Sequence, residues 1–253
     1  MLLFTTPLMK AMIFAAGLGT RLKPLTNTMP KALVPILKKP LLEHVIEKLK
    51  GAGFDEIIIN IHHFGEQIIE FIEAKESFGI KIKFSDERKR LLDTGGAIKK
   101  ASWFFDKDEP ILIHNVDILS NIDIEEVYNQ HIKSKSLATL VVSNRDTARY
   151  LLFDKKDNLK GWINKKTSKT KSPIEDFNPS NYRELAFSGI HVISAKGLVN
   201  EMDRFPDKFS IIDFYLAICN RANIKAYLSN EKSMIDVGKL DSLKSAEEFM
   251  NQQ

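Results

Sequence analysis

The chain is 253 residues long, 43% hydrophobic and 28% charged, with a net charge of +4 at neutral pH. That composition excludes a disordered chain, and the length suits one sizeable α/β domain or two small ones. The mild positive excess favours anionic small molecules over nucleic acid, the single Cys219 excludes an internal disulfide framework and points to a reducing, cytoplasmic compartment, and no apolar run is long enough to cross a membrane.

Residues 1–8 are mostly apolar but lack a basic flank and a full hydrophobic segment, so they do not fit a signal peptide. With Met9-Lys10 as an alternative start they read as an extension, and 9–253 as one domain. From Lys10 a short apolar run of β-compatible residues has the pattern of a buried strand. It breaks at Gly17-Leu18-Gly19, where the backbone can turn sharply and no Cβ blocks a close ligand. Thr20 and Arg21 follow at once, a hydroxyl and a fixed fork of donors suited to phosphate. Such a loop can hold a polyphosphate; its glycines serve a purely steric turn equally well. Leu22 stands where a dinucleotide fingerprint has its third glycine, and no Gly-Lys-Ser/Thr of a P-loop is present.

Pro24, Pro30, Pro35 and Pro40 then exclude a regular helix and predict a stiff, extended loop that carries Lys31. Leu41, Leu42, Val45, Ile46 and Leu49 fall at helical spacing up to Gly51 and Gly53. Ile57 to Ile61 predicts a buried strand, Glu66 to Lys75 an amphipathic helix, and Ile80 to Phe84 a short strand. Thr94-Gly95-Gly96 opens another helix, and Pro110 to His114 a strand running into Asn115-Val116-Asp117. This alternation predicts an α/β fold, a Rossmann-like doubly wound mixed sheet, mostly parallel. The second half is richer in strands, at Leu137 to Ser143, Tyr150 to Phe153, Leu159 to Ile163 and Leu185 to Ile193. Between the last two, the polar tract from Asn164 to Arg183 reads as a long surface loop over a site. Helices follow at Ala195 to Asp203 and Ile211 to Asn220, strands at Ile224 to Leu228 and near Ile235, and a helix from Leu240 to Met250.

Asp117 falls just past the carboxyl end of a central strand, where open α/β sheets place their ligands. Asp236 lies in Ile235-Asp236-Val237-Gly238, again at a strand end. The pair suits Mg²⁺, which takes one or two carboxylates together with substrate phosphates; each aspartate alone also suits a turn or helix cap.

Gly17-Leu18-Gly19-Thr20-Arg21-Leu22, Pro30-Lys31, Thr94-Gly95-Gly96, Asn115-Val116-Asp117 and Asp236-Val237-Gly238, in that order, resemble the sugar-1-phosphate nucleotidyltransferases from about Met9 to the last helix. The resemblance implies in-line attack by a sugar phosphate oxygen on the α-phosphorus of a nucleoside triphosphate, with pyrophosphate leaving. It implies a nucleotide-binding half of about 9–120 and a sugar-binding half of about 121–253. Ala16, Gly17, Leu18, Gly19 and Thr20 would cradle the nucleotide with Gly95, Gly96 and Asn115. Arg21 would stabilise the pyrophosphate, Lys31 would bridge oxygens at the reaction centre, and Asp117 and Asp236 would hold Mg²⁺. Lys165, Ser188 and Gly189 would bind the sugar phosphate, although Asn164 and Lys166 replace the acidic residue and proline that usually flank the lysine, and a surface lysine is the alternative. Ser85 to Arg88 lies where the family reads the base. Val116 replaces a frequent glycine and would crowd the nucleotide. One of His62 and His63 could line the base pocket, and Cys219 reads as a small core residue.

Among compact members the chain is most similar to the N-acetylmuramic acid 1-phosphate uridylyltransferases of cell-wall recycling, which implies UTP. The basis is Leu92-Asp93-Thr94-Gly95-Gly96, Phe187-Ser188-Gly189-Ile190 and the length, which leaves no room for a hexapeptide-repeat domain. Mannose- and heptose-1-phosphate guanylyltransferases share much of the pattern, and choline phosphate cytidylyltransferases are more distant. A non-catalytic nucleotide sensor would have no need of the two aspartates. A nucleic-acid binder using Lys155 to Lys171 would have only Trp162 to stack on.

Overall fold

The computed structural model describes residues 9–105, 109–229 and 234–252; the extension read at residues 1–8 lies outside them. Alternation within the strands decides the layers. In β1 (Met9–Phe14), Ala11 and Ile13 join one apolar cluster and Met12 the other. β4 (Phe54–Ile61) divides Ile57 and Ile59 from Ile58, and β6 (Pro110–Asn115) divides Leu112 from Ile111 and Ile113. Strands apolar on both faces need helices on both. One cluster takes in α1 (Leu41–Gly51), α2 (Gly65–Ala74), α4 (Ile124–Ser134) and α7 (Ser242–Met250). The other takes in α3 (Asp93–Ala101), α5 (Ala195–Met202) and α6 (Ile211–Ile218). Each fully buried Ile or Leu in these layers contributes roughly 1.5–3 kcal/mol.

The sheet is mixed, as expected for a doubly wound fold. β5 (Lys81–Asp86), β4, β1 and β6 run parallel in that order. β12 (Arg183–Ser194) then joins β6 antiparallel, and also pairs with β8 (Ala138–Ser143) and β9 (Arg149–Phe153). β10 (Leu159–Asn164) and β11 (Lys169–Lys171) extend the sheet beyond β9, and β13 (Ile224–Leu228) runs parallel to β8. A separate two-stranded ladder pairs β7 (Ile118–Ser120) with β14 (Met234–Asp236).

Two expectations need correction, and one helix lies where none was expected. The tract from Asn164 to Arg183 is not one long loop: Lys169 to Lys171 pairs with β10, and the Phe177 and Tyr182 rings stack 5.0 Å apart. β11 is exposed throughout, and a lysine-rich edge strand carries no apolar alternation for a sequence reading to detect. The proline-rich stretch is not plainly extended either. It winds through one-turn 3₁₀ helices at Thr20–Leu22, Leu25–Asn27 and Lys31–Leu33, then a hairpin of β2 (Pro35–Ile36) and β3 (Lys39–Pro40). The helix without a counterpart among the expected elements is α4. Its signal was a capping aspartate, since Asp123 accepts the Glu126 amide at 3.0 Å.

Candidate active site

The carboxyl ends of β1 and β6, with the turn into α3, open onto a cleft of about 400 Å³. Ala16, Gly17, Lys31, Asn115 and Asp117 line it. Asn60, Glu87, Asp93, Thr94 and Lys208 line it too, and the sequence reading singled out neither Asn60 nor Lys208.

The loop after β1 is held from beneath. Asn60 at the end of β4 accepts the Ala15 and Ala16 amides on Oδ1, at 2.7 and 3.3 Å. Its Nδ2 donates to Glu87 Oε1 at 2.8 Å, and Glu87 Oε2 accepts the Leu92 amide at 3.0 Å. His62 Nδ1 donates to the Glu87 carbonyl at 2.7 Å. The buried Asn60–Glu87 pair thus ties three strand ends together, and His62 braces that pair rather than lining the cleft. His63 packs against Phe64.

Above this support the loop is open. Among the described residues nothing accepts a hydrogen bond from the Gly17, Leu18 or Gly19 amides, and a Cβ at Gly17 would meet nothing within 4 Å. Gly19 is constrained instead. Its φ of +63° is left-handed, and a Cβ there would come within 2.9 Å of Thr26 Cγ2 and 3.1 Å of Lys31 Cβ. The Gly19 carbonyl accepts the Leu22 amide and the Thr26 hydroxyl, at 2.9 and 2.8 Å. This turn seats the glycine loop directly on Lys31.

The charges collect at one end of the cleft. Lys31, buried to 8% exposure, is ion-paired with Asp117. Asp117 sits between β6 and β7, and its carbonyl accepts the Val237 amide at 2.8 Å. With the β7–β14 ladder, that bond brings Asp236 beside Asp117. Burial first, and then the Asp117 charge, push the Asp236 carboxyl above its ordinary range; Lys31, Arg21 and Arg145 pull it back. Arg21 and Asp236 line a neighbouring concavity of about 450 Å³. Three cations around two carboxylates make an anion-attracting centre. The carboxylates are hard oxygen donors that repel each other in a partly buried site, a set that fits a divalent cation such as Mg²⁺.

The other expected residues divide. Gly189 lies against Asn115, since a Cβ on it would come within 2.8 Å of Asn115 Nδ2. Ser188 is fully buried, and its Oγ has no partner among the described residues. Lys165 lies outside the cleft, its ammonium 2.5 Å from Glu184 Oε1. The Gly95 and Gly96 amides are not open to a ligand: both donate to the Phe209 carbonyl, at 2.8 and 3.2 Å. Those glycines let α3 close on the Phe209 segment, and Asp93 and Thr94 form the cleft wall there. Val116 is buried to 3% exposure and forms one edge of the cleft. Cys219 is buried and its thiol is pushed up to about 11, as suits a core residue. Arg145, the third cation, lies in a loop, where an arginine carries no periodic signal in the sequence.

Residues 10–253 match the family described as nucleotidyl transferase. The N-acetylmuramate alpha-1-phosphate uridylyltransferase of Caulobacter vibrioides is 40% identical over 109 residues, 42% of this chain and 45% of that protein. The UTP–glucose-1-phosphate uridylyltransferase of Synechocystis sp. is 34% identical over 142 residues, 53% of this chain and 37% of that protein. The chain thus spans less than half the length of these curated relatives. Among solved structures, HddC from Yersinia pseudotuberculosis complexed with GMP-PN superposes with a TM-score of 0.73 at 25% identity, covering 96% of this chain and all of that one (100%). UDP-glucose pyrophosphorylase complexed with UDP-glucose superposes at 0.75 over 97% of this chain and 99% of its own, and at 18% identity it attests the fold alone.

Proposed function

The chain belongs to the nucleotidyl transferase family, and from that premise we propose that it transfers a nucleotidyl group from a nucleoside triphosphate to a sugar 1-phosphate. A phosphate oxygen of the sugar substrate attacks the α-phosphorus, the bond to the β-phosphate bridge breaks, and pyrophosphate leaves. The observation that carries this reading is the convergence of Lys31, Arg21, Asp117 and Asp236 beside the open amides of Gly17 to Gly19. Little covalent work is asked of the protein, so positioning and charge neutralisation carry catalysis.

In this reading the loop from Ala16 to Thr20 cradles the triphosphate. Asn60 holds the Ala16 end, and the Gly17 to Gly19 amides face the phosphates. Lys31 neutralises oxygens at the α-phosphate, Arg21 takes the departing pyrophosphate, and Asn115 borders the nucleoside. Asp117 and Asp236 hold Mg²⁺, which when bound offsets phosphate charge. Residues of about 9–120 form the nucleotide half. Those of about 121–253 supply Asp236, Ser188 and Gly189 toward the sugar, and Lys165 if its pair with Glu184 opens.

The specific reading is UTP with N-acetylmuramic acid 1-phosphate, in the cytoplasm. It is supported by the Caulobacter relative and by a second enzyme of that name, from Neisseria meningitidis, 40% identical over 120 residues. A guanylyltransferase is the second reading, favoured by the match to HddC bound to GMP-PN. The deciding experiment is a matrix of four nucleoside triphosphates against several sugar 1-phosphates, scored by magnesium-dependent pyrophosphate release. Preference for UTP and N-acetylmuramic acid 1-phosphate supports the specific reading. Preference for GTP replaces it, and silence across the matrix refutes the transferase.

A further inference from the structure

Arg145, in the loop between β8 and β9, is only partly engaged by the fold among the described residues. One guanidinium nitrogen, Nη2, donates to the Phe187 carbonyl at 3.0 Å. Its Nε is shielded from solvent and has no partner among the described residues. No carboxylate among those residues lies within ion-pair distance of it. Desolvating part of a guanidinium without pairing it costs free energy, and buried donors in native folds are as a rule satisfied. Among the described residues no acceptor meets that Nε, which leaves it open to a ligand's oxygen.

The surroundings say where that acceptor belongs. The Phe187 peptide that anchors Arg145 leads into Ser188 and Gly189, where the pairing of β12 with β8 shifts register. Irregularities of this kind re-aim side chains beside sites. Gly189 lies against Asn115, at the edge of the cleft. Ser143, at the end of β8, and Ser188 are both fully buried, and each has an Oγ without a partner among the described residues. The Arg145 charge also acts on the Asp236 carboxyl, together with those of Lys31 and Arg21.

We propose that Arg145 binds the phosphate of the sugar 1-phosphate and so holds the attacking oxygen in place. The inference rests on the transferase reading above. It assigns the fork of donors left on Arg145 to the two or three oxygens of a phosphate monoester. Lys165, by contrast, is tied to Glu184 at the surface, outside the cleft that Lys31 and Lys208 line.

The test uses the full chain, with pyrophosphate release from UTP and N-acetylmuramic acid 1-phosphate, or from the pair that the matrix selects. Arg145→Gln should raise KM for the sugar 1-phosphate at least tenfold and leave KM for the nucleotide within twofold. Arg145→Lys, which keeps the charge and loses the fork, should raise it three- to tenfold. Inhibition by the unphosphorylated sugar should be unchanged in both variants. An unchanged sugar-phosphate KM overturns the proposal, as does an equal rise in nucleotide KM. An equal weakening of the unphosphorylated sugar also overturns it, since Arg145 would then read the sugar and not its phosphate. If Arg145→Gln fails to fold, the lysine variant alone decides by the same criteria. Failure of the transferase reading is distinct, because there the wild type itself releases no pyrophosphate.

Discussion

The Lys31 ammonium and the Asp117 carboxylate form an ion pair between residues 86 positions apart, at the base of the cleft. Both side chains are largely withdrawn from solvent, so the pair is neutral within itself and each member is costly to leave alone. Phosphate oxygens arriving at Lys31, with a cation arriving at Asp117, would replace that pairing without stranding either charge. Lys31→Met should lower kcat by about 10²–10³-fold, the usual cost of removing one preorganised donor from a developing charge. Asp117→Asn should do the same. The double variant should lose much less than the product of the two, because the residues act as a unit. Steady-state pyrophosphate release by all four proteins checks this.

Gly17 and Gly19 should separate binding from folding. A Cβ at Gly17 enters open space, whereas one at Gly19 strains a left-handed residue and presses on Thr26 and Lys31. Gly19→Ala is therefore expected to lower unfolding stability by about 1–2 kcal/mol and to displace Lys31, cutting kcat. Gly17→Ala should leave the denaturation midpoint in place and raise only the nucleotide KM. Urea melts alongside kinetics would expose equal melting losses, which would refute the distinction.

Much of the first half of the chain was legible because its strands are apolar on both faces and its glycine loop, Lys31 and Asp117 lie at strand ends or beside prolines. Less was legible where structure rests on polar contacts. Asn60 and Glu87 sit in unremarkable sequence, and only the meeting of β4 with the segment after β5 gives them a role. The resemblance set Gly95 and Gly96 against the nucleotide, but a glycine in sequence does not show what approaches it, and here that is the Phe209 ring at Gly95 and the Asp207 carbonyl at Gly96. β11, exposed along its whole length, owes its place to pairing with β10 alone.

The Asn60–Glu87 bridge should be among the most sensitive positions in the first half of the chain. Asn60→Ala leaves the Ala15 and Ala16 amides and one Glu87 oxygen without their partner in a buried place. Unmet buried groups cost about 1–3 kcal/mol each, so a loss of several kcal/mol is expected on chemical denaturation. Asn60→Asp keeps an acceptor for the two amides but sets a second carboxylate against Glu87. Its defect should therefore shrink on acidification, as one carboxyl takes up a proton, whereas that of Asn60→Ala should not.

Acid should loosen the fold through its buried histidines before it touches most carboxylates. His131 lies between the Thr139 and Ser194 hydroxyls, each 3.0 Å from a ring nitrogen, and burial lowers its pKa from 6.5 to about 4. His191, 2.7 Å from the Tyr215 hydroxyl, is lowered to about 3, by burial first and then by the neighbouring His114. The unfolded chain takes up a proton on each near pH 6.5 while the folded chain does not, so stability falls as pH drops below that value. For His131 the loss ends near pH 4, where the folded imidazole also protonates. Between pH 7 and pH 5 each histidine should remove on the order of 2 kcal/mol. Toward pH 8 the slope from both fades out. His131→Gln should flatten the dependence by about one proton's worth of slope, measured as urea midpoints from pH 8 to pH 5. A wild-type midpoint that stays level across that range would mean that these imidazoles are charged in the fold, with partners their hydroxyl neighbours do not provide.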